Sequence, residues 1–145
     1  MGAPNLKLLV ATDGSENALR AVRHVTDLAR RGVAVHAVLC NVQLPVMSGE
    51  VGVIAPIEIA ERQRTLAAGA AIASAARLLE DAGVEVSTHE ATGVAADEIV
   101  AAAEAHGCDG IVMGSRGHGA LASLLLGSVS SQVARKASVP VTLVN

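Results

Sequence analysis

The sequence predicts an α/β fold, a single domain built on one doubly wound parallel sheet with helices on both faces. Three observations carry this. Short apolar runs rich in Val and Leu alternate with longer stretches of helical period, an order that forces right-handed crossovers between parallel strands. Most of these runs lack a polar alternation, as strands covered on both faces do. With 145 residues, the chain is of a size that buries roughly 70% of its unfolded surface, so one core needs no disulfide or metal.

The elements follow in order. Residues 6–12, LKLLVAT, read as a buried strand that ends in the turn Asp13-Gly14-Ser15, a helix N-cap signal. A helix over 16–31 places Ala18, Val22, Val25 and Ala29 in one stripe and leaves Arg20, Arg23, Asp27 and Arg30 mostly off it. Gly32 stops that helix. Residues 33–42 form a second covered strand, and 43–56, with two Pro and two Gly, one long loop. A second helix runs from Pro56 or Ile57 to about Asp81, with Leu66, Ala70, Ala73 and Leu79 as its expected buried side. Residues 84–92 alternate as an edge strand does, and 94–106 form a third helix with Asp97 and Glu98 near its positive end. A short strand over 110–113 runs into a glycine-rich loop. After an apolar turn over 121–126 come Gly127-Ser128, a helix over 129–136 and a closing strand over 139–144.

Composition narrows the function. The chain has no Phe, Tyr or Trp, whereas RNA-recognition modules and single-strand binders stack bases on aromatic rings. Fourteen carboxylates against eleven Lys and Arg give a net charge of −3, the wrong sign for a nucleic-acid surface. No apolar stretch approaches the ~20 residues of a membrane span. The N-terminus has no basic region before an apolar run, so no export signal is expected. Cys40 and Cys108 lack Cys-x-x-Cys spacing and read as reduced thiols, which suits a cytoplasmic protein. His24, His36, His89 and His106 show no metal-ligand spacing.

In an open parallel sheet ligands bind at the C-terminal ends of the strands, where strand order reverses. Three segments converge on that edge: residues 11–14, residues 40–42 and residues 114–117. A Walker A loop is ruled out because the only lysines, Lys7 and Lys136, lie far from the glycines. A Gly-x-Gly-x-x-Gly fingerprint is absent too. What remains is Gly114-x2-Gly117-x9-Gly127-Ser128. The first two glycines let the backbone approach a ligand, and the distant pair opens a helix whose free N–H groups receive phosphate.

Here the sequence resembles the universal stress protein family, over almost its whole length. The likeness rests on the entry strand with Asp13-Gly14-Ser15, the block IVMGSRGHGALASLLLGSVS from Ile111 to Ser130, and the ending from Val139-Pro140 to Leu143. In that family this glycine spacing marks the members that bind ATP. The resemblance implies a five-stranded sheet of order 3-2-1-4-5. It places Thr12 and Asp13 beside adenosine, with Asp13 near the sugar or a metal, and gives the adenine edge to the Val42 backbone. Gly114 and Gly117 then lie along ribose and phosphates, flanked by Met113 and Arg116. Gly127, Ser128 and Val129 offer N–H groups to the phosphate tail. Asn41 stands where the family more often has His.

The implied function is an ATP-binding regulatory protein of the stress response, with ATP as ligand, room for Mg2+ beside it, and a protein partner that the sequence does not name. A slow ATPase or phosphotransferase is the enzymatic alternative, and no base or lysine accompanies the loop to favour it. A nucleotide-free dimerisation module is the third reading. In the order 3-2-1-4-5 the last strand is an edge carrying Val141, Leu143 and Val144, so a two-fold homodimer through it is expected.

Overall fold

Strand formation follows the Val-rich runs. The computed structural model describes residues 5–43, 54–116 and 127–145. Its order is β1 (Leu6–Ala11), α1 (Glu16–Arg30), β2 (Val35–Gln43), α2 (Ile54–Asp81), β3 (Glu85–Thr92), α3 (Ala95–Ala105), β4 (Gly110–Gly114), α4 (Ser128–Lys136) and β5 (Val141–Val144). The five strands form one parallel sheet in the order β3-β2-β1-β4-β5, as the resemblance implied. The long loop after Gln43 and the apolar turn over 121–126 lie outside the described residues.

The sheet is covered twice. Leu8, Val10, Val35, Ala37, Leu39 and Val112 turn to α1 and α2, where they meet Val22, Val25, Ile72 and Leu79. Leu9, Val38, Cys40, Ile111 and Met113 turn to α3 and α4 and pack on Ile99, Ala102, Ala103 and Val133. Each central strand therefore buries both of its faces, which is why its sequence shows no polar alternation. The edge strand β3 does alternate, with Glu85, Thr88, Glu90 and Thr92 exposed.

One device ends three of the four helices. After α1, Gly32 takes φ +97° and the Val33 N–H reaches back to the Leu28 carbonyl at 3.1 Å. That is the 6→1 bond of a Schellman turn, which needs a left-handed residue. The bonds Val84 to Leu79 and Cys108 to Ala103 repeat it after α2 and α3.

Helix α2 corrects the sequence reading in two respects. It starts at Ile54, so Pro56 is its third residue, a position where no intrahelical N–H is required. Its buried residues are Ala68, Ile72, Ala75 and Leu79, whereas Leu66 is 67% exposed and Ala70 and Ala73 are exposed as well. Thirteen residues separate Leu66 from Leu79, and at about 100° per residue they point about 140° apart. In a helix this rich in Ala, bulk alone misidentifies the face.

Both cysteines are free and buried. Burial, reinforced by Glu98 and Cys108, pushes the Cys40 thiol up to about 12, and burial raises Cys108 as well. They are protonated core side chains, not nucleophiles.

A histidine pair joins β3 to the end of α3. His89 Nδ1 lies 3.1 Å from His106 Nε2, with the rings nearly perpendicular at a centroid separation of 5.1 Å. One nitrogen must donate and the other accept, so the bond does not survive protonation of both rings. Burial first, then His89, Lys7 and His36, holds His106 below the ordinary histidine value of 6.5. The unfolded chain thus takes up this proton more readily than the folded one. The resulting stability is complete above the unfolded value and is lost as pH falls through the lower folded one. Urea titrations followed by far-UV circular dichroism should give a lower midpoint at about pH 5.5 than at about pH 7.5. His106→Gln should shrink that difference; a difference of unchanged size in the variant would assign it to other groups.

Candidate functional site

At the C-terminal edge of the sheet the chain repeatedly places polar residues where the strands stop. After β1, the Thr12 N–H continues the ladder to the Cys40 carbonyl at 2.9 Å, and Asp13 and Gly14 then turn the chain. Asp13 Oδ1 accepts from the Ser15 N–H at 2.9 Å, and Ser15 Oγ accepts from the Ala18 N–H at 3.1 Å, which caps α1. Asp13 is exposed, so its carboxylate holds the turn from the solvent side of the edge.

Thr12 is 4% and Asn41 6% exposed. The Asn41 side chain donates from Nδ2 to the Thr12 carbonyl at 2.7 Å. Among the described residues neither Thr12 Oγ1 nor Asn41 Oδ1 has a hydrogen-bond partner. A buried polar atom left unmatched costs about 1–3 kcal/mol, so the two oxygens fit a place where something else completes the bonding. Val42, by contrast, sends its half-buried side chain toward the α3 and α4 layer.

On the other side of β1, the end of β4 is held by a residue that the sequence reading missed. Asn17, in the first turn of α1, donates from Nδ2 to the Val144 carbonyl at 3.0 Å and accepts the Arg116 N–H on Oδ1 at 2.6 Å. One amide thus ties α1, β5 and the exit of β4 together. Gly114 lies against it: a Cβ at that position would stand 2.5 Å from Asn17 Oδ1 and 2.9 Å from the Asn17 carbonyl oxygen. Met113 turns its side chain into the core, so only its backbone belongs to the edge. Arg116 is half-buried. Gly117 lies outside the described residues.

The two described ends of the glycine segment meet. The Ser115 carbonyl accepts from the Gly127 N–H at 2.7 Å and from Ser130 Oγ at 2.7 Å, while Ser115 Oγ donates to Asn145 Oδ1 at 2.9 Å. Ser115 has no exposed surface and Ser130 is 2% exposed, so this staple is internal and fixes where α4 begins. Gly127 is the N-cap, and no side chain caps the helix. Because the Gly127 N–H is already bonded to Ser115, the donors left over at this end are those of Ser128, Val129 and Ser130. The first intrahelical bond runs from the Ser131 N–H to the Gly127 carbonyl. An uncapped helix end of this kind attracts an anion through its free N–H groups and its dipole.

The edge therefore has two differently built ends flanking β1: buried, unmatched oxygens toward β2, and an uncapped helix terminus toward β4. Among the described residues no group of three or more His, Cys, Asp or Glu is placed to hold a metal ion. No helix among them is long and apolar enough to cross a membrane.

Comparison with known proteins identifies the family and the fold. The profile of the universal stress protein family matches residues 5–145. Universal stress protein MJ0531 of Methanocaldococcus jannaschii is 33% identical over 144 residues, covering 95% of this chain and 81% of that protein. Universal stress protein YxiE of Bacillus subtilis is 32% identical over 144 residues, covering 95% and 97%. Among solved structures, the fold is similar to that of MJ0577, a test case for assigning biochemical function from structure, with a TM-score of 0.81 and 33% identity over 95% of this chain and 94% of the other. A universal stress protein solved in complex with cAMP is similar at a TM-score of 0.68 and 26% identity, covering 96% of each chain.

Proposed function

Because the chain belongs to the universal stress protein family, we propose that it is a nucleotide-binding regulatory protein of that family, with ATP as its ligand. The observation that carries the reading is the start of α4. Its N-cap is bonded inward to Ser115 and its first-turn N–H groups have no side-chain cap, at the edge where an open parallel sheet binds ligands. The phosphates take the N–H groups of Ser128, Val129 and Ser130, with Gly114, Arg116 and Gly117 alongside. Thr12, Asp13 and the Val42 backbone flank the nucleoside, with an accompanying Mg2+ on the Asp13 side. A related universal stress protein has been solved in complex with cAMP, which supports a nucleotide as the ligand.

The absent aromatics shape both the site and its test. With no Phe, Tyr or Trp, no benzene or indole ring is available to stack on a base, so recognition in this reading rests on aliphatic contacts and hydrogen bonds. The same absence makes the protein nearly transparent at 280 nm. Purified protein free of nucleic acid should show a 260 nm band and release an adenine nucleotide on denaturation, identified by chromatography. Stripped protein should bind ATP calorimetrically in the micromolar range, about −8 kcal/mol. No released nucleotide and no heat of binding would overturn the reading.

A homodimer through β5 belongs to the same proposal. The Pro140 and Val144 carbonyls accept from Ile111 and Ser115, so the even-numbered carbonyls of β5 face β4 and the N–H groups of Val141 and Leu143 face away from it. Light scattering should give twice the 14.6 kDa chain mass, and Leu143→Pro, which removes an outward donor, should shift the protein to monomer. A wild-type monomer at all concentrations would refute the dimer.

A further inference from the structure

The histidine pair that joins β3 to the end of α3 has the spacing of a chelate. His89 stands in the β2 and β3 ladder opposite Cys40, on the sheet face that packs against α3. His106 is the C-cap of α3, and its backbone N–H bonds the Ala102 carbonyl at 3.0 Å. Both backbones are held in regular structure, and both residues are half-buried, so solvent reaches them. The two positions lie 17 residues apart and meet only through the turn between β3 and α3, which is why no ligand spacing shows in the sequence.

His89 Nδ1 and His106 Nε2 are 3.1 Å apart. Two imidazole nitrogens bound to one tetrahedral zinc ion at about 2.05 Å stand about 3.3 Å from each other, so the fold already sets the separation that a shared ion needs. In the ion-free pair one of the facing nitrogens carries the shared proton. An ion takes its place when that proton passes, through water, to the far nitrogen of the same ring. Both facing nitrogens then present lone pairs, a rotation of the rings aims them at one point, and the neutral pair releases no proton. His36 is occupied elsewhere, with Nε2 2.7 Å from Ser87 Oγ and Nδ1 3.8 Å from Glu85 Oε2.

We propose that His89 Nδ1 and His106 Nε2 together bind a divalent ion of the zinc class, which favours imidazole nitrogen, with water completing its coordination. Among the described residues no third His, Cys, Asp or Glu completes the set, so the ion lacks the enclosure of a four-ligand structural site and exchanges with solvent. Bound there, it clamps the edge strand β3 to α3. His106 ends α3 just before β4 begins, at the opposite edge of the sheet from the candidate nucleotide site, and the inference does not depend on a nucleotide.

Calorimetric titration of the tag-free, chelator-treated protein with Zn2+ tests this, together with proton–nitrogen NMR spectra of the imidazole rings. The wild type should bind one ion per chain, and the His89 and His106 ring nitrogens should shift together. His89→Gln and His106→Gln, each checked for its fold by far-UV circular dichroism, should each weaken binding at least about tenfold. Zn2+ should also raise the urea midpoint of the wild type and leave that of either variant unmoved, since only an ion bound to the native pair stabilises it. No binding by the wild type, a shift of only one of the two rings, or a shift of His24 or His36 in their place would overturn the inference; none of these outcomes needs a variant to fold. Wild-type affinity in either folded variant would overturn it as well.

Discussion

Gly127→Asp is expected to weaken ATP binding at least 100-fold while leaving the melting temperature unchanged or slightly higher. The two effects separate because of the backbone at this residue. Gly127 has φ −73° and ψ 166°, an extended conformation open to any L residue, and Asp is among the preferred N-cap residues, worth about 1 kcal/mol over an uncapped end. Its carboxylate would accept from the N–H of Val129 or Ser130, the donors assigned to phosphate. It would also place a negative charge beside the ligand, at a cost of about 4 kcal/mol for unit charges 4 Å apart near a protein surface. Like-charge repulsion alone exceeds the about 2.7 kcal/mol that a 100-fold loss requires, and the occupied donors add about 1 kcal/mol to it. Gly127→Ser caps the same donors without the charge and should fall between the variant and the wild type. Calorimetry for affinity and circular dichroism for melting read the two quantities separately, and wild-type affinity in the Asp variant would remove α4 from the site.

How much of this was legible in the sequence depends on the range of the interaction. The strands announce themselves locally: Val35 to Leu39 is buried almost residue by residue, and no other element tolerates such a run. The α1 stripe is equally local, since Ala18, Val22 and Val25 are buried and Arg20, Arg23 and Arg30 are not. Helix α2 was illegible as to face because its small residues carry little contrast between sides. Asn17 was illegible for a different reason. Its partners lie 127 and 99 residues further along the chain, and an Asn in a first helical turn looks like ordinary helix-start chemistry. The Ser115 staple depends on Gly127 and Ser130, which folding brings to the end of β4 across the whole glycine segment. A motif read as spacing shows which residues recur together. It does not show that the N–H of its third glycine is consumed in positioning the helix, leaving the anion-facing donors to begin one residue later.

That internal positioning makes Gly114→Ala the second substitution of large effect. The residue is not in a left-handed conformation, so the penalty is one of space. The new methyl would meet both the Asn17 side chain at 2.5 Å and the Asn17 backbone carbonyl at 2.9 Å. The side chain can yield only by giving up its bonds to Val144 and Arg116, and the carbonyl is held in α1. Overpacking together with the lost bonds should cost about 2–4 kcal/mol of unfolding free energy. Asn17→Ala alone leaves the room but removes both bonds, at about 1–3 kcal/mol. The double variant removes the side-chain half of the clash and keeps the backbone half. Its destabilisation should therefore be less than the sum of the two single changes, by about 1 kcal/mol of coupling. Urea unfolding of the four proteins by far-UV circular dichroism measures the cycle. Strict additivity would mean that Asn17 and Gly114 act independently, and that something other than this amide fixes the exit of β4.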